Sequence, residues 1–264
     1  MSAIEFDDVH VHFGAGASRF HAVKGVSLSI PQGSIMGLVG ESGSGKSTLA
    51  RAAVGLVEAS SGRILVDGVD VVGARGETAR LRRRIQMIFQ DPSSCLDPRM
   101  TIGESIGEAL RAAERRDRTP KRGRAARTQE VERLLHAVSL GADRADSYPS
   151  VLSGGQRQRV AIARALAAGP SVLLADEITS ALDVSVQGAV LNLLLELQRE
   201  LGFTMLFVSH NLAVVRYVCD QVAVMRHGEL VESGPVLDVI DNPQHQYTRE
   251  LMAAIPQLGE PMFR

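Results

Sequence analysis

The chain alternates short apolar segments with segments of helical periodicity. Ile4–Phe13 and Val26–Ile30 alternate apolar and polar residues, which is typical of half-buried strands. Ile35–Val39, Val172–Ala175 and Thr204–Val208 are short apolar runs that suit fully buried strands. Because strands alternate with helical segments, the pattern predicts a parallel sheet with helices on both faces.

The same pattern predicts the remaining elements. Further strands are expected at Arg63–Val66, Ile85–Phe89, Gln221–Met225 and Glu229–Glu232, and helices at Lys46–Val54, Ala79–Arg84, Ile102–Ala113, Thr128–Val138, Gly154–Ala168, Val184–Leu201 and Asn211–Val218. Helical spacing dominates from about Pro92 to Pro149. This segment is therefore predicted to form a helical sub-lobe inserted into an α/β core.

The composition is that of an ordinary globular protein. The chain has 264 residues, 45% of them hydrophobic, and a formal net charge of −1, so no overall field favours nucleic acid or anionic lipid. Its two cysteines, Cys95 and Cys219, lie far apart, which excludes a disulfide scaffold and suits a reducing compartment. We expect no signal peptide, and no stretch approaches ~18 uninterrupted apolar residues. Any membrane role is expected to come through a partner.

A glycine-rich loop between a predicted strand and a predicted helix is the clearest chemical motif. It runs through Gly40, Glu41, Ser42, Gly43, Ser44, Gly45, Lys46, Ser47 and Thr48, and it fits G-x-x-x-x-G-K-[ST]. Its glycines let backbone N–H groups point at phosphates, and the helix N-terminus adds its positive dipole end. Lys46 supplies a cation for the β- and γ-phosphates, and the Ser47 hydroxyl can ligate Mg²⁺. The loop therefore predicts ATP binding with Mg²⁺.

Two adjacent carboxylates follow the buried strand Val172–Ala175. The carboxyl ends of parallel strands face the ligand crevice of such a sheet. Asp176 is therefore expected to orient Mg²⁺, directly or through water. Glu177 lies one residue further out, where a carboxylate can polarise an attacking water as general base. The pair predicts ATP hydrolysis as well as ATP binding.

A second anion-binding surface is expected where a pentapeptide opens a predicted helix. Its residues are Leu152, Ser153, Gly154, Gly155 and Gln156, and the helix continues RQRVAIARAL. Pentapeptide and helix together resemble the signature of ATP-binding-cassette (ABC) ATPases. The resemblance implies a P-loop NTPase core with a mixed or parallel sheet, an N-terminal antiparallel β portion and an inserted α-helical subdomain. It also implies a head-to-tail dimer, in which each signature helix caps the γ-phosphate held by the other subunit.

Other motifs resemble further positions of that family. Gln90 resembles the Q-loop glutamine, which contacts Mg²⁺ and the attacking water, and His210 resembles the switch histidine, which contacts the γ-phosphate. A third motif resembles the D-loop, which crosses the dimer interface in that family; it consists of Ser180, Ala181, Leu182 and Asp183. The resemblance thus implies catalytic roles for Glu177, His210 and Gln90, and Mg²⁺ ligation by Ser47, Gln90 and Asp176. Phe13 is the first candidate for the aromatic residue that stacks on adenine, and Phe20 is the alternative.

One position departs from the family pattern. The family usually has proline where this chain has Ile178, directly after Glu177. A proline would bias Glu177 toward an extended backbone, and isoleucine relaxes that restriction. The departure bears on how the base is positioned, not on which residue it is.

The C-terminal segment indicates a subfamily. Asn242–Leu251 and Ala254–Pro256 resemble the C-terminal extension of oligopeptide and dipeptide importer ATPases, although that family usually has proline at Gln246. Nickel importers share much of the pattern, so nickel or another solute stays open as cargo. The resemblance implies an ABC ATPase domain over 1–240, with its helical subdomain at about 92–168, and an extension over 241–264. Because Cys219 stands alone in this region, no iron–sulfur cluster is expected.

The same resemblance implies the partners of the chain. These are a second ABC ATPase subunit (identical or different), two integral-membrane permease subunits and, indirectly, an extracellular solute-binding protein. The expected location is the cytoplasmic face of the cell membrane, as a peripheral subunit. A soluble ABC protein that acts on DNA or ribosomes is the alternative. The arginine-rich stretch Arg111–Arg133 is interpreted as a solvated helical surface, because no aromatic residue lies among the arginines to stack on bases, and no nucleic-acid partner is expected.

Overall fold

The structure is a computed structural model that describes residues 1–14 and 19–253. These residues form two compact units. The first consists of Met1–Gly73 and the described residues from Met205 onward, and the second is Ala74–Thr204. Of the predicted C-terminal extension, Ala254–Pro256 and the residues after it lie outside the described part of the chain.

The first unit contains most of the strands. Its elements are β1 (Ser2–Phe13), β2 (Phe20–Pro31), β3 (Ile35–Val39), α1 (Lys46–Val54), β4 (Ser61–Val66), β5 (Val69–Asp70), β8 (Thr204–Ser209), α7 (Leu212–Val218), β9 (Gln221–Arg226), β10 (Glu229–Pro235), α8 (Val236–Asp241) and α9 (Gln246–Ala253). An antiparallel sheet has the strand order β2-β1-β4-β5. A second set of hydrogen-bonded strands has the order β10-β9-β3-β8, with β3 parallel to both β8 and β9.

The central strand β3 carries the phosphate loop at its carboxyl end. Every residue of β3 is buried, as its uninterrupted apolar sequence predicts. Space around it is tight, because a Cβ atom at Gly37 would lie 2.6 Å from Val215 and 3.1 Å from the Cys219 sulfur. The helix that follows the loop, α1, ends at Gly55, whose φ of 76° is left-handed and favours glycine.

The second unit contains most of the helices. Its elements are α2 (Gly76–Arg82), β6 (Ile85–Ile88), α3 (Ile102–Asp117), α4 (Arg124–Ala137), α5 (Gly154–Ala167), β7 (Val172–Asp176) and α6 (Val184–Leu201), with short 3-10 helices at Pro92–Cys95, Ala142–Asp146 and Pro149–Val151. Strands β6 and β7 are parallel, with Ile88 opposite Ala175. Apolar faces of α3 and α5 form a core in which Ile102, Ile106 and Val160 are fully buried.

The observed elements differ from the predicted ones at a few places. Strand β2 begins at Phe20 rather than Val26, because its first residues pair with β1, with Phe20 opposite Phe13. Helices α8 and α9 were not predicted, since both are short and local periodicity is weak over so few residues. Within the described residues, no helix combines the length and apolar character needed to cross a bilayer.

Candidate functional site

The phosphate loop has the backbone conformation that its glycines were expected to allow. Gly40, Gly43 and Gly45 have φ values of 149°, 80° and 103°, which L-residues rarely adopt. Two of them also lie against other backbone. A Cβ atom would come within 2.1 Å of the Met225 carbonyl oxygen at Gly40 and within 2.5 Å of the Ala22 carbonyl oxygen at Gly45. Glycine is therefore required at both ends of the loop.

Lys46 lies inside this loop. Its side chain is only 4% exposed, and Nζ donates hydrogen bonds to the carbonyl oxygens of Gly40 (2.8 Å) and Glu41 (2.7 Å). No side-chain hydrogen bond caps the start of α1, where Gly45 is the N-cap residue. A helix N-terminus without a side-chain cap, next to an ammonium group, is a suitable site for a phosphate group. The residues present therefore fit a nucleotide phosphate.

His210 directly follows β8, the strand next to β3. Strands β3 and β8 are parallel, and Val39 lies opposite Ser209. Gly40 and His210, the residues that follow, thus leave the sheet at the same edge. His210 is exposed, and Asn211 caps α7 by accepting hydrogen bonds from the N–H groups of Ala213 and Val214. The predicted switch histidine is therefore placed beside the start of the phosphate loop.

The two candidates for the adenine-stacking residue face each other across one hairpin. Phe13 ends β1, Phe20 begins β2, and the two are direct cross-strand partners. Phe13 is 43% exposed and Phe20 is 61% exposed, so each offers ring surface to a ligand. The choice of Phe13 remains a prediction.

In the second unit, the structure brings Gln90, Glu177 and Ser180 together. Gln90 follows β6 and Glu177 follows β7, and these parallel strands place both side chains at one edge. The Gln90 amide Nε2 donates to the Glu177 carboxylate Oε2 (3.3 Å) and to the Ser180 hydroxyl (3.2 Å). The Ser180 hydroxyl in turn donates to the Glu177 carbonyl oxygen at 2.9 Å. The predicted Q-loop residue, base and D-loop residue thus form one hydrogen-bonded group.

Glu177 has a backbone conformation that is uncommon for its residue type. Its φ is 48°, in the left-handed region, so it does not adopt the extended backbone that a following proline would favour. Ile178 is 1% exposed and anchors the chain immediately after it. Asp176, the last residue of β7, is 3% exposed. A non-glycine residue held in this region at the end of a buried strand is typical of functional sites.

The signature pentapeptide forms the start of α5. Ser153 is the N-cap residue, and its hydroxyl accepts a hydrogen bond from Gln156 N (3.3 Å) while the Gln156 side chain accepts one from Ser153 N (3.0 Å). A Cβ atom at Gly155 would lie 2.5 Å from Val186 of α6, and one at Gly154 would lie 3.8 Å from Leu182 of the D-loop. This capping box was not predicted, although the spacing Ser-x-x-Gln indicates it.

Tyr247 of α9 was not predicted to lie at the site. Its hydroxyl accepts a hydrogen bond from the backbone N–H of Glu41, in the phosphate loop, at 2.9 Å. The two residues are 206 positions apart, so no local pattern indicates the contact.

Several arginines of the stretch Arg111–Arg133 have structural partners. Arg122 donates to the buried Glu114 carboxylate at 3.0 Å, and Arg133 pairs with Glu130 at 2.8 Å. Arg116, whose side chain is 5% exposed, donates to the Ala168 carbonyl oxygen at the end of α5 (2.7 Å). The contacts of Arg122 and Arg133 support the interpretation of the stretch as a solvated helical surface, whereas Arg116 departs from it because its side chain is buried against the end of α5.

Comparisons with known proteins found a matching family model and similar relatives. A family model described as ABC transporter matches residues 23–180. The chain is 51% identical over 248 residues to the glutathione import ATP-binding protein GsiA of Salmonella typhimurium (strain LT2), covering 92% of this chain and 38% of that protein. The GsiA protein of Escherichia coli (strain K12) is also 51% identical, over 243 residues, covering 91% of this chain and 38% of its own length. The chain thus spans little more than a third of the length of these relatives.

Solved structures show the same fold. The structure of cbiO1 from Clostridium perfringens, part of the ABC transporter complex cbiONQ, matches with a TM-score of 0.79 and 29% identity over 91% of both chains. The ATP-binding cassette MJ0796, solved as a dimer in a post-hydrolysis state with ADP and phosphate, matches with a TM-score of 0.77 and 31% identity over 88% of this chain and 98% of that one. The predicted fold class is confirmed. The chain belongs to the ABC transporter family and has the fold of its ATP-binding cassettes.

Proposed function

We propose that this chain is the ATP-binding and ATP-hydrolysing subunit of an ABC importer. The observation that carries the proposal is the phosphate loop, in which Lys46 lies among backbone groups at the uncapped start of α1. Such a loop binds the phosphates of a nucleotide. Binding and hydrolysis of ATP would then drive a conformational change in separate membrane subunits.

The catalytic roles follow from the chemistry of each group. Glu177 is the general base that polarises the attacking water, and Gln90, which donates to its carboxylate, helps to orient that water. His210 contacts the γ-phosphate. The proposed ligands of Mg²⁺ are the Ser47 hydroxyl, the Gln90 side chain and the buried Asp176 carboxylate, and the ion would supply positive charge to the phosphates. The protein's contribution is mainly positioning and charge stabilisation.

A second subunit completes the site. The capping box at the start of α5 occupies the N–H groups of Ser153 and Gln156, and the N–H groups of Gly154 and Gly155 have no acceptor within the helix. We propose that these groups bind the γ-phosphate held by a partner, which is either a copy of this chain or a different ATPase subunit. The D-loop, Ser180–Asp183, lies in the same dimer interface.

The cargo is proposed to be a peptide. Support comes from the extension motif Asn242–Leu251 and from the relatives named for glutathione, which is itself a small peptide. We also propose the domain boundaries 1–240 for the ATPase, with a helical subdomain at about 92–168, and 241–264 for the extension. The chain would act as a peripheral subunit on the cytoplasmic face of the membrane.

Purification with its natural partners tests this function. The tagged full chain is isolated from detergent-solubilised membranes of its source, and copurifying proteins are identified by mass spectrometry. Integral-membrane permease subunits, together with ATP hydrolysis that stops when EDTA removes Mg²⁺, are expected. Recovery of ribosomes or nucleic acid alone would instead favour a soluble ABC protein.

The cargo has its own test. The solute-binding protein encoded beside the permease subunits is purified and titrated by calorimetry with a dipeptide, glutathione and Ni²⁺. Binding of either peptide is expected. Binding of Ni²⁺ alone would overturn the peptide assignment and leave the ATPase assignment intact.

A further inference from the structure

The C-terminal helix α9 contacts the phosphate loop through one side chain. Tyr247 is 1% exposed, although it belongs to a short helix near the end of the described chain. Its hydroxyl accepts a hydrogen bond from the Glu41 backbone N–H at 2.9 Å. Burial raises the pKa of Tyr247, so the hydroxyl stays neutral at physiological pH. A folded segment beyond the phosphate-binding elements therefore contacts the loop directly.

The hydrogen bond falls on the peptide unit that also holds Lys46. The peptide between Gly40 and Glu41 carries the Gly40 carbonyl, which accepts from Lys46 Nζ at 2.8 Å, and the Glu41 N–H, which donates to Tyr247. Because a peptide unit is planar, its carbonyl and N–H groups turn together. Fixing the N–H group thus fixes the carbonyl that orients the lysine ammonium.

The ring of Tyr247 has a contact of its own, in addition to that of its hydroxyl. The Arg226 guanidinium lies over the ring, 4.6 Å from its centroid. Arg226 ends β9, just before the turn at Gly228, whose N–H donates to the Ser44 carbonyl oxygen of the phosphate loop at 2.9 Å. The β9–β10 turn and α9 therefore support the same loop at two points.

The start of α9 is anchored by a neighbouring strand. The Glu232 carboxylate of β10 accepts hydrogen bonds from the N–H groups of Gln244 (2.8 Å) and His245 (3.1 Å). The His245 ring nitrogen Nδ1 accepts from the Tyr247 N–H at 3.1 Å. The Arg249 side chain of α9 donates to the Gln244 carbonyl oxygen at 2.6 Å, which ties the helix to the residues that precede it. These contacts fix where the Tyr247 side chain can reach.

We infer that Tyr247 is a positioning residue that holds the Gly40–Glu41 peptide in the conformation that binds nucleotide phosphates. The C-terminal segment Asn242–Ala253 is then a support of the ATP site and sets its affinity. The inference rests on the proposed ATP binding by this loop.

Replacement of one hydroxyl tests the inference in the full chain. Tyr247→Phe keeps the ring under Arg226 and removes only the acceptor of the Glu41 N–H. Loss of one neutral hydrogen bond predicts a dissociation constant for a fluorescent ATP analogue, and a KM for ATP, about fivefold higher. The kcat at saturating ATP should stay unchanged, because Tyr247 touches no reacting atom. Tyr217→Phe, at a tyrosine that is 60% exposed on α7, is the matched control and should match the unaltered chain.

A second variant addresses the anchor rather than the hydroxyl. Glu232→Gln keeps Tyr247 and weakens the support of α9, and it should raise the dissociation constant about threefold. If Tyr247→Phe does not fold, as judged by thermal unfolding without nucleotide, Glu232→Gln serves as the test of the inference instead.

The outcomes separate this inference from the proposed function. Unaltered ATP affinity in a folded Tyr247→Phe chain, or an equal loss in Tyr217→Phe, would overturn the positioning role alone. A lower kcat with unchanged KM would overturn it as well. An unaltered chain that binds no ATP would overturn the proposed function, and this inference with it.

Discussion

Glu177 combines a catalytic residue type with a backbone conformation that side chains usually avoid. Its φ of 48° costs on the order of 1–3 kcal/mol, which the buried neighbours Asp176 and Ile178 must offset. The hydrogen bond from Gln90 then directs one carboxylate oxygen of Glu177. This conformation would aim the proposed base at one position.

At this residue we predict that Glu177→Gln separates ATP binding from hydrolysis. The amide has the shape of the carboxylate and still accepts from Gln90, but it cannot take a proton from water. Turnover should fall roughly 100-fold or more while ATP affinity is retained, measured by phosphate release and by titration with a fluorescent analogue. The exposed Glu58→Gln variant is the control and should hydrolyse ATP normally. Normal turnover in Glu177→Gln would remove Glu177 from the role of base.

A substitution at Lys46 should lower the affinity for ATP rather than the rate of hydrolysis. Lys46→Ala removes the cation that now lies against the Gly40 and Glu41 carbonyl oxygens. We expect ATP affinity to fall about tenfold to a hundredfold, since hydrogen bonds to charged groups contribute about 1.5–3 kcal/mol. The exposed Lys121→Ala variant should bind as the unaltered chain does. Equal affinities in the three proteins would contradict the role assigned to the loop.

At the scale of elements, the connection between α3 and α4 depends on one buried carboxylate. The Glu114 side chain is 3% exposed, and it accepts hydrogen bonds from the Arg122 side chain (3.0 Å) and backbone N–H (3.2 Å). Burial by itself would raise the Glu114 pKa, but these bonds outweigh it and the pKa lies below the ordinary value of 4.5. The charged form is thus favoured in the folded chain.

This pair predicts a pH-dependent stability. A depressed pKa contributes stability that is fully present above pH 4.5, the ordinary value, and is lost as the pH falls below it. Glu114→Gln should lower the free energy of unfolding by about 1–3 kcal/mol at pH 7, with a smaller deficit in acid. Glu130→Gln, at a more exposed pair with Arg133, should cost less than about 0.5 kcal/mol. Denaturant unfolding at several pH values measures both, and equal costs would contradict the special role of Glu114.

Local patterns could predict elements whose stability is decided locally. The bounds of β3, α1 and α6 agree with the sequence periodicity, because each has a continuous apolar run or a regular apolar face. The first residues of β2 could not be predicted in this way, since their pairing with β1 decides their conformation. Helix α9 is similar, because Glu232, from another element, holds its start.

The candidate site shows the same limit. The residue types and spacing of the phosphate loop, the carboxylate pair and the signature predict what each segment can bind. The hydrogen bonds from Gln90 to Glu177 and from Glu41 to Tyr247 join residues far apart in sequence. Spacing alone carries no information on such contacts, because the tertiary fold determines them.

At the scale of the whole molecule, we propose that one chain carries two kinds of phosphate-binding surface. The phosphate loop offers Lys46 and the start of α1, and the signature offers the start of α5 with exposed Ser153. One nucleotide does not need both surfaces from one chain. A head-to-tail pair of cassettes would use both and enclose two nucleotides.

We therefore predict that Ser153→Arg blocks pairing without weakening nucleotide binding by the single chain. The substitution removes the oxygen that caps Gln156 N and places a long side chain where a partner's nucleotide must approach. In a Glu177→Gln background, which should accumulate ATP-bound dimers, light scattering after gel filtration should show a dimer dissociation constant raised about tenfold or more. Ser150→Arg adds the same bulk and charge at an exposed serine outside the signature and should still dimerise. If Ser153→Arg dimerises as readily as Ser150→Arg, the signature does not complete the partner's site, and the phosphate loop must work without it.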